Sequence, residues 1–565
     1  MTKRTETKVQ DSFAETCSGI ISGAISVFLL ILATVFPLIY HNAYFDILET
    51  KYKCYYMTVI GMLAVVLILA LVMLAVDFNE YGGSHAKELF ERLKPKHWRE
   101  TFSAADAGVL VFWLMSGLST LLSEYRYEAF WGNEGRYSGF FLITLYVAFY
   151  LVVSRFWKRK AWVMEAFLIS GMVMCFIGIT DYFQLDILDF RGNMKPSQST
   201  IFTSTVGNIN TYTAYVALLM GVATARFVTV KERWKTAWYY LCMTVTFFAI
   251  IMGCSENAYL ALGGMFAVLP FMLLRSRRGT VRLLAVLATF ATVIQCVDLF
   301  NQAFSDIVIG LDSLFGMLAG FSLLPAVVAV LWAATALLAY LWRPGGGKQP
   351  GTSKQPGAPK QSGASKQDIA QNPAADRDPD ALGKLPVRIW GAFIGASAVI
   401  LCFMLFDANA GGHGDRYGAL SEYLVFSDSW GTNRGYIWRK SVELYQDFSL
   451  KNKLLGYGPD TFGIMTVNGF HGDMVNATGQ TFDSAHNEYL QFLLTVGPVA
   501  LAGYLVFQIG SCIRMAKDRM KNPYALACML GVVCYGFQAF VNLNLPIATP
   551  MMWFLISVGA ARNSE

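Results

Sequence analysis

SGIISGAISVFLLILATVFPLIY, residues 18–40, is an apolar run of 23 residues without one charged side chain. About 20 such residues in a helix cross the ~30 Å hydrocarbon core of a bilayer, where only structures that satisfy their own backbone polar groups persist. No small-residue cleavage site precedes the next polar stretch, so the run reads as a retained helix and not as a signal peptide. Comparable runs recur near 55–77, 107–122, 138–155, 162–181, 208–226, 236–254, 257–274, 281–300, 319–342, 389–406, 487–511, 524–541 and 545–561. The expected fold is therefore all-α, a polytopic transmembrane bundle of about fourteen spans.

Composition agrees: only 15% of the 565 residues are charged, against roughly 25% in soluble domains, and mean hydropathy is +0.42. The net charge of +6 is read as topology and not as nucleic-acid recognition, because Lys and Arg are retained on the cytoplasmic side during insertion. With a cytoplasmic N-terminus, 33 of the 45 Lys and Arg residues fall in cytoplasmic segments. An odd error in the span count would destroy that bias. Both termini are thus expected in the cytoplasm and the chain in the cell membrane, with membrane lipids as its main surroundings.

The stretch GGGKQPGTSKQPGAPKQSGASKQ, 345–367, is too polar and too rich in Gly and Pro to bury a core. It marks a disordered cytoplasmic linker, 343–388, between an N-terminal bundle of about ten spans (1–342) and a C-terminal transmembrane module (389–565). The ten cysteines are scattered, with no CxxC pair, which argues against a disulfide framework or a thiolate metal site.

Polar chemistry collects in one long extracytoplasmic loop, 407–485, which is expected to be partly helical. It contains WGTNRGYIWRK (430–440) and LLGYGPDTF (454–462), and closes with DSAHNEYLQF (483–492) entering the next span. Asn433 is a plausible N-cap for a helix starting at Arg434. Arg434, Trp438 and Val442 would share one face of that helix, with its aromatic side laid on the membrane. GYGP reads as a tight turn. His486, at the mouth of the following span, has the only side-chain type that normally titrates near neutrality. Glu488, two residues on, would point away from it, while Asp483 and Glu256 are alternative bases.

The order R-G-x-I-W-x-x-(S/A), L-x-G-x-G-x-x-x-F and A-H-N-x-Y-L-x-x-L-x-x-x-G resembles the signature domain of the O-antigen ligase family, whose relatives include O-antigen polymerases and bacterial protein O-oligosaccharyltransferases. Here it is carried by Arg434, Gly435, Ile437, Trp438, Ser441, Leu455, Gly456, Gly458, Phe462, Ala485, His486, Asn487, Tyr489, Leu490 and Gly497. The resemblance covers about 75 residues closely. It implies a polyprenyl-diphosphate-linked glycan donor, a lipid, glycan or protein acceptor, inverting transfer, and neither metal nor cofactor. It also implies that Arg434 binds the diphosphate and His486 assists the acceptor. Trp438, Arg439, Asn487 and Glu256 join the expected substrate-binding set. Relatives often carry an arginine where this chain has Glu256, in GCSENAY (253–259). Arg136, in FWGNEGRYSGF (130–140), is the expected substitute, with Arg191 a second choice.

Guanidinium suits that role, being always charged and presenting a planar fork of donors to phosphate oxygens. Ligase and polymerase remain open alternatives. A transporter would also fit fourteen spans, but it should carry internal repeats and unwound mid-membrane helices, and no repeat relates the halves. A receptor or scaffold that binds through the loop without turnover is a third class.

Overall fold

The computed structural model describes residues 3–92, 94–97, 102–192, 194–311, 313–342, 380–518 and 522–561. These residues are helical apart from loops and one short antiparallel pair, Phe202–Thr203 with Gly207–Asn208. Among the described residues, eleven helices are long and apolar enough to cross a membrane, from Phe13–Leu38 to Pro523–Val541. Three shorter apolar helices, Phe140–Phe156, Asn257–Leu273 and Thr549–Ala560, fall on the remaining expected runs. By helix length and hydropathy this is a multi-pass, all-α membrane protein.

At the centre lies Ile209–Thr229, almost wholly buried and packed against Arg233–Met252, Asn257–Leu273 and Pro523–Gln538. Small residues permit the closest approaches, as they do between membrane helices generally. A Cβ on Gly221 would sit 2.6 Å from the backbone of Gly531, and one on Gly108 would sit 2.7 Å from the carbonyl oxygen of Gly503. Both contacts join helices from before and after the Gly/Pro/Lys-rich segment. The sequence division into an N-terminal bundle and a C-terminal module is therefore not a packing division, since helices from 488 onward build the same core.

The linker also ends earlier than its composition implies. Residues 343–379 lie outside the described residues, but Arg277 N–H donates to the Asp380 carbonyl (2.8 Å) and Leu382 N–H to the Arg275 carbonyl (3.0 Å). The chain is thus pinned to the 275–278 turn before the Leu385–Asn409 helix begins. That helix is peripheral. It touches the core through Asn257–Leu273, where Trp390 Nε1 donates to the Ala267 carbonyl (3.0 Å), and it leaves Ile389, Phe393, Val399, Phe403 and Phe406 exposed, as a lipid-facing wall requires. Lys51 is buried and donates to the carbonyls of Phe36 and Pro37 (both 2.8 Å) at a helix C-terminus, where orphan acceptors await a cation.

Candidate functional site

The glycines of the second and third sequence blocks bring their segments together. Tyr457 and Gly458 N–H donate to the carbonyls of Leu494 (3.3 Å) and Thr495 (2.8 Å). A Cβ on Gly456 would lie 2.2 Å from the Thr495 carbonyl carbon, and one on Gly497 2.2 Å from the Leu454 oxygen. Gly456 (φ 71°), Gly458 (φ 117°) and Gly497 (φ 82°) also adopt backbone angles that L side chains avoid. The resemblance picked out these glycines, and close packing explains them. Ser123 Oγ donates to the Tyr457 carbonyl, which clamps the turn to the Ala104–Leu122 helix end.

The Trp430–Asp447 helix differs from expectation at its start. Gly431, Thr432 and Asn433 are all left-handed, with φ between 58° and 69°, and no side chain caps the helix. Asn433 is therefore a kink residue and not an N-cap, since capping residues take extended backbone. A β-branched residue such as Thr432 is rare in this region. The kink turns Arg434 into the protein, where it is 6% exposed and donates through Nη1 to Glu256 Oε2 (3.0 Å). Burial pulls the guanidinium pKa down and the Glu256 charge opposes that. Glu256 is thus the counter-ion of the first-block arginine. The two share the polar end of a cavity of about 920 Å³ whose wall continues over Tyr259, Leu260, Leu314, Leu401 and Met404.

Arg136 is held by a different carboxylate pair. The buried Asp460 accepts through Oδ2 from Asn133 N–H (2.8 Å) and Ser138 N–H (3.1 Å), so both ends of the turn carrying Arg136 hang on one oxygen. Arg136 Nη2 then pairs with Asp483, while its buried Nε has no partner. Burial pushes the Asp460 carboxyl up to about 6, against the pull of Arg136 and the two backbone donors. Desolvation raises the Asp483 carboxyl, yet the bond to Arg136 holds it below its ordinary value. Asp460 was missed in the sequence, although it lies inside the second block. A lone Asp after a Gly-Pro turn reads as a loop charge until the turn it grips is known.

His486 lies between these systems. Its backbone is left-handed (φ 47°), and its ring meets Phe482 edge-on at 5.6 Å. Desolvation, followed by the fields of Arg434 and Arg136, pushes its pKa down to about 3 against the attraction of Asp483. The imidazole is therefore neutral, and both guanidiniums lie near enough to act on it. His486, Arg136, Ser138, Asp460 and Asn544 border a cavity of about 30 Å³, room for about one water.

The other expected residues take supporting places. Trp438 Nε1 donates to the Ala485 carbonyl (2.8 Å) and packs on Trp430 and Phe426. It thus fastens the first block to the third instead of lying on the membrane, and Val442 is exposed. Asn487 Oδ1 accepts from Tyr489 N–H (3.1 Å) and Leu490 N–H (3.0 Å), capping the Glu488–Asp518 helix. Arg439 is occupied on the surface by Asp428 (2.9 and 2.7 Å) and Glu443 (2.8 Å). Glu488 borders the same small cavity as His486, because His486 precedes the helix with left-handed backbone and helical spacing does not separate the two; its carboxylate accepts from Tyr504, Tyr535 and Asn544. Arg191 donates to the carbonyls of Asp181 and Phe202, bracing the 183–208 connection. Among the described residues, no three His, Cys, Asp or Glu side chains are grouped to hold a metal ion.

Fold and site together define a multi-pass helical membrane protein with a cluster of buried arginine–carboxylate pairs around a histidine. No protein-family model matches the chain, and no curated protein matches it.

Proposed function

We propose that this protein is a glycan transferase that moves a glycan from a polyprenyl-diphosphate donor to an acceptor hydroxyl at the extracytoplasmic face of the cell membrane. The observation that supports the reading is that Arg136 and His486 border one small cavity, while Arg434, close enough to His486 for its charge to be felt there, borders a second and larger cavity with apolar side chains in its wall. The three shorter apolar helices complete fourteen spans in this reading, and the Lys and Arg bias then puts residues 407–485 outside.

The donor lipid lies along Leu260, Leu314, Leu401 and Met404, with its diphosphate at Arg434. The acceptor oxygen attacks the anomeric carbon and forms the new glycosidic bond as the carbon–oxygen bond to the diphosphate breaks. The hydroxyl proton passes to His486, and the lipid diphosphate leaves with the bonding electron pair, its charge held by the guanidiniums. His486 is a weak base first because it is buried and then because the charges of Arg434 and Arg136 act on it. An arriving diphosphate neutralises those cations, so the imidazole pKa rises when a proton must be taken. The partner switch at Arg434, from Glu256 to phosphate, keeps the buried cation compensated before the donor arrives.

The test is a proteoliposome preparation given a polyprenyl-diphosphate oligosaccharide, with release of free lipid diphosphate measured. Release that is lost in His486→Ala and Arg434→Ala, with both variants folded and inserted, is expected. Undiminished release in both overturns the assignment.

A further inference from the structure

Residues 541–547 pass three cavities in order. Val541 borders the long cavity; Asn542, Leu543 and Asn544 border the small one at His486; Leu545 and Ile547 border a third, of about 380 Å³. The turn carrying Arg136 repeats the pattern. Arg136 and Ser138 face the small cavity, while Glu134, Gly135 and Tyr137 face the third. The reacting centre and the third cavity therefore share a wall one backbone thick, and the lipid cavity lies on the other side.

We propose that this third cavity is a carbohydrate subsite for uncharged or amino-bearing sugar residues, a reading that rests on the transferase function and deepens it. Tyr44, Phe45, Tyr137 and Phe202 line it. Tyr137 is fixed by stacking on Tyr52 at 4.7 Å, and Tyr44 packs against Phe202 at 5.2 Å. Rigid aromatic faces of this kind receive the C–H face of a sugar ring, and carboxylates accept from its hydroxyls. Asp46 and Glu49 are paired with His41 and Lys53, whereas Glu134 is exposed and makes no ion pair among the described residues. The net negative rim attracts amino sugars and repels uronic acids.

The experiment uses the full-length protein in detergent micelles and four probes: the methyl glycosides of glucose, N-acetylglucosamine, glucosamine and glucuronic acid. Saturation-transfer NMR should label the first three and not the glucuronide. The double variant Phe45→Ala, Glu134→Lys, whose two sites are exposed, should weaken that binding about five- to tenfold, the effect of losing one aromatic contact and one acceptor. In the transfer assay, a raised KM for the lipid-linked donor in this variant assigns the subsite to the donor's sugars, and a raised KM for the acceptor assigns it to the acceptor's. Equal labelling of the glucuronide, undiminished labelling in the double variant, or unchanged KM for both substrates overturns the subsite. Sugar binding by a wild-type protein that releases no lipid carrier overturns the transferase reading alone.

Discussion

Asp460→Asn should stabilise the protein at neutral pH. The carboxyl is buried, and its pKa rises from 3.8 in the unfolded chain to about 6 in the folded one. The folded state therefore holds a proton that the unfolded state has lost between those values, and stability falls as pH climbs through that window. A shift of about 2 units at 1.36 kcal/mol each costs about 3 kcal/mol above pH 6. Asparagine removes the charge, and because both backbone donors converge on Oδ2, its single carbonyl oxygen can still accept from both. Thermal unfolding in detergent, followed from pH 4 to pH 8, should show wild type and variant alike at the acid end. The variant should gain an increasing advantage that levels off above about pH 7. A gap independent of pH, or a variant less stable at pH 7.5, refutes the reasoning. Asp460→Ala, which strands Asn133 N–H and Ser138 N–H, should instead destabilise at acid pH by about 1–3 kcal/mol per lost partner, a deficit that shrinks above about pH 6 as the wild type loses its own margin.

Further outcomes follow from the same geometry. Arg434→Ala should cut lipid-carrier release by about 10²- to 10³-fold, the typical cost of removing one preorganised donor at a developing charge. Glu256→Gln, which removes the competing carboxylate, should tighten inhibition by inorganic pyrophosphate; weaker inhibition would count against the partner switch. In an Asp460→Asn background, the acid limb of kcat should lie at higher pH than that of kcat/KM, because the first reports the donor-bound site and the second the free one, and coincident limbs would remove His486 as the base. Gly497→Ala should lose folded protein in size-exclusion profiles, since its Cβ meets the Leu454 oxygen at 2.2 Å, whereas Gly472→Ala, with open space around it, should not.

Membrane character, helix positions and the three sequence blocks were legible in the chain, because each depends on local quantities: run length, hydropathy, and the spacing of Gly, Arg and His. A 23-residue apolar run has few alternatives in lipid. Partnership was not legible. Nothing near position 256 announces that Glu256 will meet a guanidinium 178 residues away (3.0 Å), or that Asp460 will hold the turn of Arg136 across more than 300 residues. Trp438, Arg439 and Asn487 look like binding residues in sequence because they are polar or aromatic and lie within the sequence blocks. The fold spends them on a strut, a surface ion-pair cluster and a helix cap. The sequence by itself determined a helical membrane protein and nominated Arg434, His486 and Arg136. Tertiary structure alone decided which charges face which, because hydrogen bonds and ion pairs act over a few ångströms of space regardless of separation along the chain.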